Sequence, residues 1–184
     1  RRTSRRSPCS SIRATTALLS AASGSADFAY ELLEDLLLWA STQSGKVQAV
    51  PVRFNLYVES ALTLSGLQNQ AREKEIGLVS EIPEDLEIVA DVEMIKTILR
   101  NLVTNAIKFS HEGTLVRIVT RRDASNLYID VRDQGIGIAP HVRAQLFKVG
   151  ERNASMPGTR KERGTGLGLV LCKEFAQQHG GDSL

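Results

Sequence analysis

Aromatic residues are scarce in this chain, 5% of 184. No basic stretch interleaves with the few that exist, which excludes the stacking surface of a nucleic-acid binder. Cysteine is scarcer still. Cys9 and Cys172 stand far apart with neither metal nor redox spacing, so both read as free thiols in a reducing, cytoplasmic compartment. Long hydrophobic runs are missing: the most apolar stretch, residues 32–40, is interrupted by Glu34 and Asp35 and is too short to span a bilayer. A net charge of +2 points to no particular partner. Acidic residues are absent from residues 1–26, which carry Arg1, Arg2, Arg5, Arg6 and Arg13 among Ser, Thr and Ala; this composition predicts a poorly ordered basic arm. It also resembles an organellar transit peptide, without a second feature in support. Arginine rather than methionine stands first, so the chain reads as a piece of something longer, with room upstream for a sensor or membrane region.

What is present is an ordinary globular composition, 42% hydrophobic and 24% charged, on a length sufficient for one domain with an appendage. From residue 27 to about 43 the pattern is helical. Phe28, Leu32, Leu36 and Trp39 fall on one face, with Ala29, Leu33, Leu37 and Ala40 beside it, a stripe wide enough to need a preceding helix or a second subunit as neighbour. Ser44-Gly45-Lys46 ends it. Residues 50–56 alternate as a strand, Asn55 can cap a helix running to about Glu73, and residues 76–82 alternate again. Residues 86–90 continue extended. Residues 115–121 and 127–133 form a hairpin through Asp123-Ala124-Ser125-Asn126. Strands followed by helices, with a hairpin between, predict an α+β two-layer sandwich, a mixed sheet on three helices preceded by a long helix.

Residues 91–110 carry the first chemical signal. Ile95, Ile98, Leu99, Leu102, Val103 and Ala106 recur at helical spacing and form a buried stripe behind an Asp91 cap. Asn101, Asn105 and Lys108, at i, i+4 and i+7, fall on one line at its rim. Amide oxygens suit Mg²⁺, which shares its shell with nucleotide phosphates, and an ammonium suits the phosphates themselves. The second signal is Asp133-Gln134-Gly135-Ile136-Gly137-Ile138, directly after a strand. Its glycines let a ligand approach the backbone, and a carboxylate there can accept from an exocyclic amine. The third is Lys161-Glu162-Arg163-Gly164-Thr165-Gly166-Leu167-Gly168-Leu169, opening a helix over residues 170–179. Free N–H groups at such a helix start hold phosphates, with Lys161 and Arg163 adding charge. The spacing matches neither a Walker loop nor a dinucleotide fingerprint. Between Val149 and Arg163 little can be buried, which predicts a mobile lid.

In this order the stretches resemble the catalytic, ATP-binding domain of sensor histidine kinases of two-component systems, the Bergerat class of nucleotide-binding fold. Asn101-Leu-Val-Thr-Asn105-Ala-Ile-Lys108-Phe-Ser110 resembles that family's N box, Asp133 to Gly137 its first glycine box, Leu146-Phe147 its F box, and Gly164 to Leu169 its second glycine box. Leu171-Cys172-Lys173-Glu174-Phe175 with His179-Gly180-Gly181 resembles the helix behind that box, and residues 32–45 resemble the second helix of the dimerisation hairpin. The resemblance covers residues 27–184. The domain organisation expected from it is an arm over 1–26, the hairpin helix over 27–46 and the ATP-binding domain over 47–184.

The resemblance implies that Asn105 coordinates Mg²⁺, that Asn101 and Lys108 contact phosphates and metal, and that Asp133 binds the adenine amine. It further implies that Gly135 and Gly137 shape the adenine pocket, that Phe147 seats the lid, and that Gly164, Thr165, Gly166, Leu167 and Gly168 wrap the triphosphate. ATP and Mg²⁺ would then be the ligands, a phosphoacceptor-histidine helix and a response regulator the partners, and a homodimer the assembly. Three departures stand out. The histidines are His111, His141 and His179, all within the ATP-binding part, so the acceptor imidazole is expected elsewhere. Val149 replaces a second phenylalanine of the F box, and two further strands usual after Gly180-Gly181 are not in this chain. Relatives that hydrolyse ATP place a glutamate four residues before the metal-binding asparagine. Here that position is Asn101, whose amide cannot act as a base, which favours a kinase over an ATP-hydrolysing clamp. A nucleotide-binding or dimerisation module without phosphotransfer is the non-enzyme alternative.

Overall fold

The computed structural model of the chain describes residues 25–26, 28–30, 32–45, 47–143, 145–147, 156–160, 162 and 164–182. Helix α1 covers residues 32–43, with helical backbone also at 25–26 and 28–30. Its end is where expected: Ser44 N–H donates to Ala40 O, Gly45 N–H donates to Thr42 O, and Gly45 takes φ +68°, the left-handed value that a helix stop favours. The remaining elements are β1 (Val52–Asn55), α2 (Leu56–Glu73), β2 (Gly77–Glu81), β3 (Glu87–Ala90), α3 (Val92–Phe109), β4 (Leu115–Arg122), β5 (Leu127–Arg132), α4 (Pro140–Arg143) and α5 (Gly168–Gln178). The last begins two residues before the expected Val170, because the glycine loop already turns helical at Gly168.

Two caps hold the long helices in place. Asn55 Oδ1 accepts from Val58 N–H at 2.9 Å and starts α2, while Asp91 Oδ1 accepts from Met94 N–H at 3.0 Å and starts α3. The other Asp91 oxygen accepts from Val50 N–H at 2.9 Å, and Asp91 N–H donates to His179 Nε2. One residue thereby joins the start of α3, the chain before β1 and the end of α5. Backbone donors from Val50 and Met94 hold the Asp91 carboxyl below the ordinary carboxylate range.

The sheet is mixed: β4 lies between β2, which it pairs in parallel, and β5, which it pairs antiparallel across the expected hairpin. Strands β1 and β3 form a separate antiparallel ladder, Val52 opposite Ala90, so the expected single sheet is two. Helices α2 and α3 pack on the three-stranded sheet over a core that includes Leu56, Leu99, Val103, Val116 and Ile118, all wholly buried. Truncating one such leucine typically costs about 2–5 kcal/mol, so the rim of α3 is presented from a rigid support. A second cluster, Met94, Leu171 and Phe175, receives Leu38 and Trp39 of α1. Tyr30, Leu33, Leu36 and Leu37 remain exposed on the opposite side of α1.

Candidate functional site

The amphipathic pattern of α3 turns its apolar stripe into the core and sets Asn101, Asn105 and Lys108 along a cleft. The cleft has a volume of about 1840 Å³ and is also lined by Asp133, Gly137, Phe147, Gly164, Thr165, Gly166 and Gly168. That is wider than the roughly 300–1,000 Å³ of an enclosed ligand pocket.

Both glycine loops close on the rim of α3, the first against its main chain and the second against its side chains. Gly135 bridges to Ser110, Ile136 N–H donates to Phe109 O at 3.2 Å, and a β-carbon at Gly135 would collide with the Phe109 carbonyl. A β-carbon at Gly168 would lie 2.5 Å from Asn101 Oδ1, and one at Gly164 would lie 2.8 Å from Lys108 Nζ. Asn101 uses its Nδ2 on Thr97 O at 3.0 Å, which commits the amide oxygen to the side where Gly168 opens α5. Helix starts present free N–H groups and partial positive charge. An acceptor, an ammonium and amide donors thus meet at one end of the cleft.

Asp133 also lines the cleft, and its Oδ1 accepts from Gly135 N–H at 2.9 Å, which leaves Oδ2 without a hydrogen bond among the described residues. Asn105 lies half-buried one turn beyond Asn101 and also lines the cleft. Lys108 is buried, its ammonium 4.8 Å from the Phe109 ring centre. Phe147 lies under Lys173, whose Nζ is 5.6 Å from the ring centre. Lys161 and Arg163 fall outside the described residues, as do Val149 and most of the expected lid. Residues 156–160 and 162 are the described part of that lid. Thr159 N–H donates to Lys108 O at 3.1 Å and Gly158 N–H to Glu162 O at 3.0 Å.

The fit to a hard cation can be tested on the donors alone. No group of three His, Cys, Asp or Glu able to hold a metal occurs among the described residues. Neutral amide oxygens at Asn101 and Asn105 are weak ligands by themselves, and they suit a cation that arrives with phosphate oxygens and water. The residues therefore fit Mg²⁺ carried by a nucleotide.

Three participants escape sequence reasoning. Asp35 of α1 accepts from Thr165 Oγ1 at 2.7 Å, placing a nearly buried carboxylate against the second glycine loop. Its only signal was a charge interrupting an apolar run. Lys74 and Glu162 pair at 2.9 Å behind the loop, and neither stands out among neighbouring charges. The thiol of Cys172, pushed up to about 12 by burial and by Asp35, is an inert packing group.

The family profile described as histidine kinase-, DNA gyrase B-, and HSP90-like ATPase matches residues 90–183. Sensor histidine kinase GacS of Pseudomonas protegens is 36% identical over 165 residues, covering 86% of this chain and 18% of that protein. Signal transduction histidine-protein kinase BarA of Escherichia coli K12 is 30% identical over 159 residues, 82% of this chain and 17% of that protein. The chain thus spans under a fifth of the length of these relatives. Among solved structures, Acinetobacter baumannii histidine kinase AdeS superposes with TM-score 0.71 at 19% identity, over 88% of this chain and 73% of that one. Full-length ShkA in complex with AMPPNP superposes with TM-score 0.71 at 24% identity, over 90% of this chain and 34% of that one.

Proposed function

Because the chain belongs to the family of histidine kinase-, DNA gyrase B- and HSP90-like ATPases, we propose that it is the Mg-ATP-binding module of a sensor histidine kinase. It serves transfer of the γ-phosphoryl group to a histidine imidazole outside this chain. The observation that carries the reading is the meeting of both glycine loops with the polar rim of α3, at Gly135 on Phe109 O, Gly164 on Lys108 Nζ and Gly168 on Asn101 Oδ1. In support, a solved protein of similar fold, ShkA, was captured with AMPPNP.

In this reading Asp133 accepts from the adenine amino group and so prefers adenine to guanine. The N–H groups at the start of α5 and the ammonium of Lys108 hold the phosphate chain. Asn101 and Asn105 are the metal ligands, and Mg²⁺ when bound supplies neutralisation of the charge that builds up as the phosphoryl group leaves. The protein's own contribution is positioning and electrostatics, with the incoming imidazole as nucleophile. Asn101 stands where a water-activating carboxylate would be needed for hydrolysis, and an amide offers no base. Helix α1 is assigned as the second helix of a dimerisation hairpin, its exposed Leu33, Leu36 and Leu37 left for the hairpin partner and a second subunit. A response regulator would receive the phosphoryl group afterwards. No described helix is long and apolar enough to cross a membrane; a cytoplasmic place, as the inner part of a larger sensor, goes with this assignment.

Calorimetric titration with a non-hydrolysable ATP analogue tests the reading. Saturable binding that strengthens with Mg²⁺ and that a GTP analogue does not displace is the expected result. No binding of the ATP analogue, or equal competition by GTP, overturns it.

A further inference from the structure

Helix α2 ends in a way that aims a lysine inward. Lys74 N–H donates to Ala71 O, Glu75 N–H to Arg72 O at 3.0 Å and Ile76 N–H to Ala71 O at 2.9 Å, the paired bonds of a Schellman stop. The left-handed position of that stop, ordinarily glycine, is held by Glu75 at φ 56°. A non-glycine residue there stores strain, and such strain persists where surrounding contacts require it.

What the stop achieves is burial of Lys74, only 3% exposed. Its three ammonium protons are fully used: Nζ donates to Ile107 O at 2.8 Å, to Lys108 O at 2.6 Å and to Glu162 Oε1 at 2.9 Å. The first two acceptors are carbonyls of the last turn of α3, which an ammonium suits. The third belongs to the segment leading into the second glycine loop, two residues before Gly164. Glu162 Oε2 accepts from Arg160 N–H at 2.8 Å, Thr159 N–H donates to Lys108 O at 3.1 Å, and Thr159 Oγ1 donates to Ser110 O at 3.0 Å. Burial is the strongest single influence on the Glu162 carboxylate and pushes it up, yet the Lys74 hydrogen bond, the backbone N–H donors and the Lys74 charge together hold this carboxyl below its ordinary range. Arg160 extends the same fastening to Glu112 and to Glu73 O.

We infer that Lys74 and Glu162 form a positioning pair that fastens the entry of the second glycine loop to the C-terminal turn of α3, fixing Lys108 and Gly164 against each other. Lys74 stands outside the cleft, whereas Glu162 is part of its lining beside Gly164. The pair acts through the Lys108 main chain, whose carbonyl it holds, and so on the Lys108 ammonium that lies beside Gly164. Loss of either member removes the buried charged tie and leaves the loop entry held by the more exposed contacts of Thr159 and Arg160. The inference rests on the nucleotide reading above and names residues that serve its phosphate end alone. Asp133, at the base end, is not among the groups this pair touches.

That division supplies the test. Chemical-shift titrations with adenosine and with a non-hydrolysable ATP analogue in Mg²⁺ are run on the unaltered chain, on Lys74→Met and on Glu162→Ala. In both variants the analogue should weaken by about tenfold or more while adenosine changes by less than about twofold, because only the phosphate end is released. Should Lys74→Met not yield folded protein, Glu162→Ala, at a half-exposed side chain, carries the same expectation. Equal losses for both ligands would mean a merely structural role and overturn the inference, as would an unchanged affinity for the analogue. An unaltered chain that binds neither ligand would overturn the nucleotide reading itself.

Discussion

Replacing Gly168 by alanine tests the site at its tightest point. The added methyl would stand 2.5 Å from Asn101 Oδ1 and 3.1 Å from its Cγ, whereas carbon and oxygen normally approach to about 3.3 Å. The amide oxygen must therefore retreat by about 0.8 Å. It is not free to do so, because Asn101 Nδ2 is held on Thr97 O at 3.0 Å. Retreat breaks or bends that bond, at about 0.5–1.5 kcal/mol, and pushes the side chain off its rotamer for about as much again. Folding is partly compensated, since alanine at a compatible backbone position leaves the unfolded chain less entropy than glycine, by about 0.4–1 kcal/mol. Stability should consequently fall by less than about 3 kcal/mol. Binding gains no such relief: returning Asn101 to its place costs the ligand the full strain, about 1–3 kcal/mol, or about 5- to 150-fold in affinity. Thermal unfolding and calorimetry on the same sample separate the two. Folded Gly168→Ala protein that binds an ATP analogue within about twofold of the unaltered chain would refute the placement of Asn101 beside the loop.

Three further outcomes are expected. Asn105→Asp should weaken Mg-ATP binding severely, because a second anion meets the phosphates and the ligand field changes; an unchanged calorimetric affinity would remove Asn105 from the metal. Asp133→Asn should weaken ATP by about 1.5–3 kcal/mol through loss of a charge-assisted bond while GTP stays poor, read by competition titration. Asp91 contributes stability as a carboxylate whose folded-state pKa lies below its unfolded value near 3.9. That contribution is complete above about pH 4 and disappears as pH falls through the lowered folded value. Asp91→Ala should thus cost about 0.5–2 kcal/mol at pH 7 by urea unfolding, with the gap to the unaltered chain narrowing in acid.

Local signals made much of this fold legible. Asn55 and Asp91 were readable as caps, and the periodicity behind Asp91 correctly put Leu99 and Val103 in the core and Asn101 on its edge. The hairpin turn was readable because Asp123 accepts from both Ser125 and Asn126 N–H, an Asx geometry that the tetrad's composition announces. Strand partnership was less so. Nothing in residues 52–55 or 87–90 says that they pair with each other and not with the larger sheet, since register depends on contacts distant in sequence. The glycine boxes located the cleft, but glycine itself does not reveal what it must avoid. Phe109 O, Lys108 Nζ and Asn101 Oδ1 emerged only in three dimensions. Lys74 was the least legible of all. In Arg72-Glu73-Lys74-Glu75 it looks like one more solvated charge, and its burial follows from a left-handed turn at a glutamate, which composition does not foretell.

The central claim, phosphoryl transfer to a histidine supplied from outside this chain, is tested most directly with γ-labelled ATP. The chain is incubated with the label and Mg²⁺, alone and with a dimerisation hairpin carrying a histidine, and each sample is then treated with acid, which phosphohistidine does not survive. The account predicts acid-labile label on the hairpin and none on the chain alone, where His111, His141 and His179 lie outside any acceptor motif. Acid-labile label on the chain alone would contradict it, and so would rapid phosphate release into water that Asn101→Ala leaves untouched.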